Sequence, residues 1–299
     1  MSDSLHPDVP AIDQNVFSAL QSLKELPKIQ KALDIALKQT DQAMTEQVEI
    51  CEIPSPTFHE EKRAEEIARR MKAYGLTDVS IDAIGNVVGV RKGRGNGPVL
   101  VIDAHMDTVF PEGTDVTVRR EGDTYYAPGI GDNTSGVRAL LQLIRCFNEA
   151  DIQTQGDIIF VGTVGEEGNG DIRGAKFICN GDRHIDGYIA IDSFTAGVVV
   201  MGGVGCHRWR VGISGPGGHS FIDFGKIPSA IHALCRAGHL IDQLTPPSEP
   251  YTTFNIGTIK GGTSVNTIAP SCEVDVDIRS ISNDELLKLE AQIFQAFEE

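Results

Sequence analysis

Apolar and polar residues along this chain recur with two different periods, and the switches between them mark out its elements. Between His59 and Tyr74, Ala64, Ile67, Ala68 and Met71 fall at i, i+3, i+4 and i+7, the buried face of a helix that Gly75 stops. The stretch from Lys28 to Val48 keeps the same period and predicts an earlier helix. "VSIDAI" and "NVVGVRK" read as strands, and "PVLVIDAH" is a near-continuous apolar run, as in a central strand covered on both faces. A helix follows over 134–148, with Val137, Leu140, Leu141, Ile144 and Phe147 as its stripe. After it come the strand "IIFVGT", a helix near 172–179 and the strand "GYIAID", which ends at Asp192. Strands alternating with helices predict an α/β fold with a mixed, largely parallel sheet flanked by helices. The first 27 residues are polar, carry three prolines, and predict a loosely attached arm with a helical turn or two.

After about Gly205 the rhythm changes. "HRWRVGIS" alternates as a strand, "KIPSAIHALCRAGHLIDQL" is helical, "TTFNIGTIK" and "SCEVDVDIRS" are strands, and "NDELLKLEAQIFQAF" is a helix. Ser282 followed by Glu285 gives that last helix a capping-box start. The order β-α-β-β-α is five-sixths of a ferredoxin-like unit. The expected organisation is therefore a large α/β domain over 1–205 and a smaller ferredoxin-like lid or dimerisation domain over 206–299. Its sixth strand has no counterpart before Glu299, so the 299-residue chain is expected to be a fragment of a longer protein.

Charge narrows the partners. The formal net charge is −16, from 26 Lys+Arg against 42 Asp+Glu, which argues against a nucleic-acid partner, since neutralising phosphates needs a basic face. No apolar run approaches the ~18 residues of a membrane span, and the N-terminus has neither a basic nor an apolar leader segment, so the expectation is a cytoplasmic protein with no membrane partner. The six cysteines are widely spaced with no C-x-x-C pair, as for buried free thiols rather than a disulfide framework.

Candidate chemistry gathers where strands end. "VGTVGEEGNG" places Glu166 and Glu167 side by side, flanked by glycine, at the mouth of an apolar strand, where like charges repel. His105-x-Asp107 closes another strand, Asp132 lies in the glycine-rich "APGIGDNTSG" ahead of a helix, and Asp192 closes a third strand. One imidazole among several carboxylates is too oxygen-rich for a structural zinc site. It fits a pair of divalent metals that share a carboxylate and activate water. Asp107 is placed to orient His105 through its second nitrogen. Glu166 is the spare carboxylate, a general base for the attacking water. "GIGDNTSG" is no phosphate loop, because it lacks the preceding strand and Asp132 would repel a phosphate. "GISGP" fails as a serine-hydrolase elbow, because position 216 is proline.

Taken in order, "VIDAHMDTV", "PGIGDNTSG", "VGTVGEEGNGDIRG" and "IAIDSF" resemble the zinc-dependent co-catalytic metallopeptidases. That family includes peptidase T, glutamate carboxypeptidase, acetylornithine deacetylase and succinyl-diaminopimelate desuccinylase. "IPSPTFHEEKRAEEIARRM" is similar to the family's early helix, and the resemblance runs from about Ala43 to the end. It implies two Zn2+ per subunit, with Co2+ or Mn2+ as alternative metals. His105, Asp132 and Asp192 would bind one ion; Asp132 would bridge to the second, held also by Glu167. "GPGGHS" resembles the loop whose histidine, here His219, reaches a neighbouring subunit's site to steady the oxyanion. "GGTSVNTIAP" and "VDVDIRS" resemble the segments whose Asn266 and Arg279 grip the substrate carboxylate.

The family takes the last ligand of its second zinc from a histidine near the C-terminus. No histidine follows Arg279 here, so the second position is incomplete in this chain. The resemblance implies a homodimer through the small domain and hydrolysis of a peptide or N-acyl amide bond. Asp192, where deacylases carry glutamate, resembles the branch that cleaves di- and tripeptides; the alternatives are an N-acyl-amino-acid deacylase or a truncated homologue that only dimerises.

Overall fold

A computed structural model describes residues 13–192 and 197–299. The start of the expected N-terminal arm and Ser193–Phe194 of "IAIDSF" lie outside the described residues. The chain divides into two compact units that meet between Val198 and Val199.

The first unit opens with α1 (Gln14–Lys24), longer than the expected turn or two and with no buried residue. The helical period over 28–48 resolves into α2 (Pro27–Lys38) and α3 (Thr40–Cys51), broken at Gln39, whose backbone leaves the helical region. α4 (Glu61–Ala73) buries Ala64, Ile67, Ala68 and Met71, the stripe its spacing predicts. β1 (Asp78–Ile81) and β2 (Val87–Arg91) form an antiparallel pair, followed by the central β3 (Leu100–His105). A short hairpin, β4 (Arg119–Glu121) and β5 (Thr124–Tyr126), precedes α5 (Thr134–Glu149). β6 (Ile158–Thr163), α6 (Arg173–Cys179) and β7 (Gly187–Ala190) complete the unit.

The main sheet has the order β1-β2-β6-β3-β7. It is mixed: β3 runs parallel to both β6 and β7, while β2 is antiparallel to β1 and β6. The parallel half is the part that matters chemically, because there the strand ends lie side by side. β6 is buried at every position, and the stripe of α5 (Val137, Leu140, Leu141, Ile144) packs with Phe160, Ile102 and Met71 in one core. Removing one such side chain, as in Leu141→Ala, costs about 2–5 kcal/mol in cores of this kind.

The second unit contains β8 (Gly205–Ser214), the short β9 (Gly218–His219), α7 (Ala230–Asp242), β10 (Thr252–Gly261), β11 (Thr267–Ile268), β12 (Ser271–Ser280) and α8 (Asn283–Glu298). Its antiparallel sheet has the order β10-β12-β8. Cys272, Val274, Val276 and Ile278 of β12 alternate inward and pack with Leu234, Ile241, Leu286, Leu289 and Ile293 of the two helices. The intervening positions carry charges in a ladder: Arg210 pairs with Asp275, and Arg208 and Arg279 both pair with Asp277. α8 starts on Ser282, whose hydroxyl accepts the Glu285 amide at 3.4 Å. The Glu285 carboxylate turns instead to Lys288, and the Ser280 hydroxyl accepts the Ser282 amide, so only half of the expected capping box forms. Among the described residues, no helix is long and apolar enough to cross a membrane.

Candidate metal centre

Three strand ends and one loop bring the acidic residues together. Pairing of β3 with β6 sets His105 opposite Thr163, and pairing with β7 sets Asp103 opposite Ala190, so residues 105–107, 166–167 and 192 emerge at one edge of the sheet. This is the carboxyl end of parallel strands, where open α/β sheets place their ligands. Asp132 arrives from the loop ahead of α5. Asn133 caps that helix by accepting the Gly136 amide at 3.0 Å, and its side-chain amide donates to the Ile191 carbonyl at 2.8 Å, tying the loop to the segment that carries Asp192.

At the centre is His105, only 3 % exposed. Its Nε2 lies 3.0 Å from Asp132 Oδ1, 3.9 Å from Asp192 Oδ2 and 4.0 Å from Glu166 Oε2. Its Nδ1 sits 3.1 Å from the Asp107 carbonyl and 3.5 Å from the Asp107 carboxylate. The shorter contact is the hydrogen bond, and the longer one is ionic attraction at the limit of hydrogen-bonding range. With the proton donated at Nδ1, Nε2 is the nitrogen left to face the carboxylates.

Asp107 does more than face His105. Fully buried, it accepts the backbone amide of Glu166 at Oδ1 (2.9 Å), and at Oδ2 it accepts the amide of Glu167 (3.1 Å) and the hydroxyl of Thr57 (2.9 Å). Burial by itself would raise its carboxyl. The neighbouring His105 imidazole and the bonds from the two amides outweigh it and hold the group below the usual carboxylate range. Arg63, equally buried, donates to the carbonyls of Cys51, Ile53 and Met106 and so fixes the backbone between His105 and Asp107. Thr57, Arg63 and Asn133 went unread as contributors to the site, because a hydroxyl on a distant carboxylate and side chains that work on backbone atoms leave no mark in a sequence.

The electrostatics are those of an anionic cluster short of positive charge. Burial and then the neighbouring charges of Asp132 and Glu166 push the Glu167 carboxyl up to about 6, and desolvation raises Glu166 and Asp192 as well. Burial would lower His105, yet Asp107, Glu166 and Asp192 together push the imidazole up to about 9. Two sets of donor atoms lie mutually within 4.8 Å: His105 with Asp132 and Asp192, and His105 with Glu166 and Glu167. One imidazole nitrogen and several carboxylate oxygens suit a borderline or hard divalent cation, so the residues present fit the metal that this pattern implies. Beside them is a cavity of about 220 Å³ lined by His105, Glu166, Asp192, Asp103, Thr163 and Tyr188.

The other three candidates lie in the second unit. β9 and β11 set His219 opposite Thr267, and the Asn266 carbonyl accepts the Ser220 amide at 3.0 Å, so His219 and Asn266 share one small ladder. The His219 Nδ1 accepts the Phe221 amide at 3.2 Å, which leaves its proton on Nε2. Arg279 stands apart from them on β12, held by Asp277 at 2.8 Å.

A mixed sheet with helices on its faces and an acidic, histidine-centred cluster at its strand ends is the arrangement a metal-using hydrolase would need. The family models agree: residues 86–200 match Peptidase family M28, and residues 202–299 match the Peptidase dimerisation domain. Neither match covers half of the chain; together they make it similar to the co-catalytic metallopeptidases and, in class, a hydrolase. It is 27 % identical over 277 residues to the uncharacterized protein YqjE of Bacillus subtilis, covering 86 % of this chain and 71 % of that one. It is 28 % identical over 207 residues to carboxypeptidase G2 of a Pseudomonas species, covering 67 % of this chain and 48 % of that protein. In structure it resembles a tripeptidase from Staphylococcus aureus, with a TM-score of 0.68 at 26 % identity, covering 86 % of this chain and 70 % of the tripeptidase.

Proposed function

We propose that this chain belongs to an enzyme that hydrolyses the peptide bond of short peptides at a pair of zinc ions, with Glu166 as general base. The observation that carries this reading is the convergence of Asp132, Asp192, Glu166 and Glu167 on the single buried imidazole of His105. His105, Asp132 and Asp192 would hold one ion, and Asp132 and Glu167 would serve the second; cobalt or manganese are the alternative occupants. When bound, a divalent ion supplies Lewis acidity to the scissile carbonyl and the attacking water. Glu166 accepts the proton of that water at its carboxylate and returns it to the leaving nitrogen. Asp107 keeps the base in place by holding the Glu166 and Glu167 amides.

In the second unit, His219 would donate its Nε2 proton to the developing oxyanion of a partner subunit's substrate. Asn266 and Arg279 would take the substrate carboxylate, Arg279 by exchanging its Asp277 partner. The dimerisation-domain match supports a homodimer through this unit, and the similarity to a tripeptidase supports short peptides as substrates.

A second reading of one residue has its own observation: Glu166 lies with Glu167 within ligand range of His105, which would make Glu166 a metal ligand. Zinc content and tripeptide turnover of Glu166→Ala and Glu167→Ala separate the two. A base predicts that Glu166→Ala keeps its metal and loses about 10²–10⁴-fold in turnover. Glu167→Ala should lose metal and activity together. Equal metal loss in both variants would move Glu166 into the ligand set, and a full-length parent protein that takes up no metal and cleaves no peptide would overturn the function.

A further inference from the structure

The loop that carries Glu166 and Glu167 leaves β6 and returns into α6 on itself. The Gly170 amide donates to the Glu167 carbonyl (2.8 Å), the Arg173 amide to the Gly165 carbonyl (3.1 Å) and the Gly174 amide to the Val164 carbonyl (3.0 Å). At its neck, a side chain on Gly165 would collide with the Arg173 side chain, and one on Gly170 would meet the Gly165 backbone at 2.6 Å. The Arg173 side chain therefore packs against Gly165 at the base of this loop. Its Nη2 reaches both oxygens of Glu60, at 2.8 and 2.9 Å, and its Nη1 donates to the Ile84 carbonyl at 2.9 Å. The Phe58 ring caps it, with the Arg173 Cζ 5.2 Å from the ring centre. Glu60 is 4 % exposed, so its charge is compensated at close range rather than by solvent.

Glu60 and Thr57 sit on one short segment, and that segment grips the carboxylate loop from two sides. Thr57 acts through Asp107, which holds the Glu166 and Glu167 amides; Glu60 acts through the Arg173 side chain, which it holds packed against Gly165 at the neck. We infer that Glu60 and Arg173 are positioning residues that fix where the Glu166 and Glu167 carboxylates stand relative to His105. Neither touches the cluster itself. This inference rests on the proposed role of that loop in metal binding and proton transfer.

The experiment uses the full-length protein, the parent beside Arg173→Met and the near-isosteric Glu60→Gln. Three quantities are read: amide exchange of residues 164–174 in the metal-free chain, Co2+ affinity by absorption titration, and kcat and KM on a tripeptide. Faster exchange confined to 164–174, Co2+ binding weakened about 10–100-fold, and a fall in kcat at near-constant KM are expected in both variants. The double variant should lose little beyond the larger single effect, because the two residues act as one unit. Unchanged exchange and affinity would overturn the inference, as would exchange rising across the whole unit in proportion to a loss of thermal stability. A parent chain that binds no Co2+ would defeat the proposed function, while the exchange measurement alone would still decide whether Glu60 and Arg173 hold this loop.

Discussion

Gly136 shows how tightly single positions are constrained around the cluster. A side chain there would run into the Asn133 side chain and the Ile191 carbonyl, the two groups that tie the Asp132 loop to the Asp192 segment. Neither neighbour can yield without moving a donor. Gly136→Ala would raise helix propensity by about 1 kcal/mol in an open helix. Here it should destabilise the chain and weaken zinc binding at least about tenfold. Thermal unfolding and a competitive chelator titration test this, and a stabilised variant with parental affinity would refute it. His105, Asp132, Glu166, Glu167 and Asp192 were legible as candidates because polar residues interrupting apolar runs at strand ends stand out. Thr57, Arg63 and Asn133 were not, since a hydroxyl aimed at a distant carboxylate, and guanidinium and amide groups aimed at backbone atoms, have no spacing rule to betray them.

Elements built from one strong period were legible almost to the residue. α4 and α5 carry unbroken apolar stripes with glycine or asparagine at their ends, and β3 and β6 open on apolar runs, over 100–102 and 158–161. The β4–β5 hairpin was missed because its residues face solvent on both sides and show no alternation. The break at Gln39 was missed because glutamine is a good helix former and tertiary contacts decide its backbone. α4 also carries a charge network with a definite pH signature. Hydrogen bonds from Arg69 first, and then Arg70, hold the Glu66 carboxyl down at about 2 against an ordinary value near 4.5. A carboxyl lowered by folding stabilises the fold above its unfolded value, and the contribution drains away as pH falls from about 4.5 towards 2. Glu66→Gln should therefore cost about 1 kcal/mol at pH 7, and the gap from the parent should narrow steadily below pH 4.5 in denaturant melts. A gap that stays constant down to pH 2.5 would rule out the ionised network as its source.

For the molecule as a whole, the proposal distributes one active site over two subunits. The metal donors belong to the first unit and His219 to the second, with its Nε2 proton directed away from the Phe221 amide. Activity should then be divisible. A Glu166→Ala chain and a His219→Ala chain, each inactive alone, should regain up to about a quarter of parental activity per site when mixed and re-equilibrated, because one site of each heterodimer is intact. Fluorescence exchange confirms mixing, and demonstrably mixed dimers with no recovery would place His219 outside the chemistry.

The donors come from four separate stretches of chain, at His105, Asp132, Glu166–Glu167 and Asp192. An ion bound among them is consequently a reversible cross-link, closing loops that the polypeptide otherwise holds by packing and by the hydrogen bonds of Asn133 and Asp107. It favours the folded state alone, by about 2.7 kcal/mol when free metal is a hundredfold above the dissociation constant. The unfolding temperature of the first unit should climb with the logarithm of added zinc and fall in a chelator, while the second unit's stays put, as calorimetry can follow. A first-unit transition indifferent to zinc would mean that the cluster holds none. With such a cross-link, the supply of metal sets how long the chain survives proteolysis as well as whether it turns over, and starvation for zinc would open the carboxyl ends of β3, β6 and β7 before anything else.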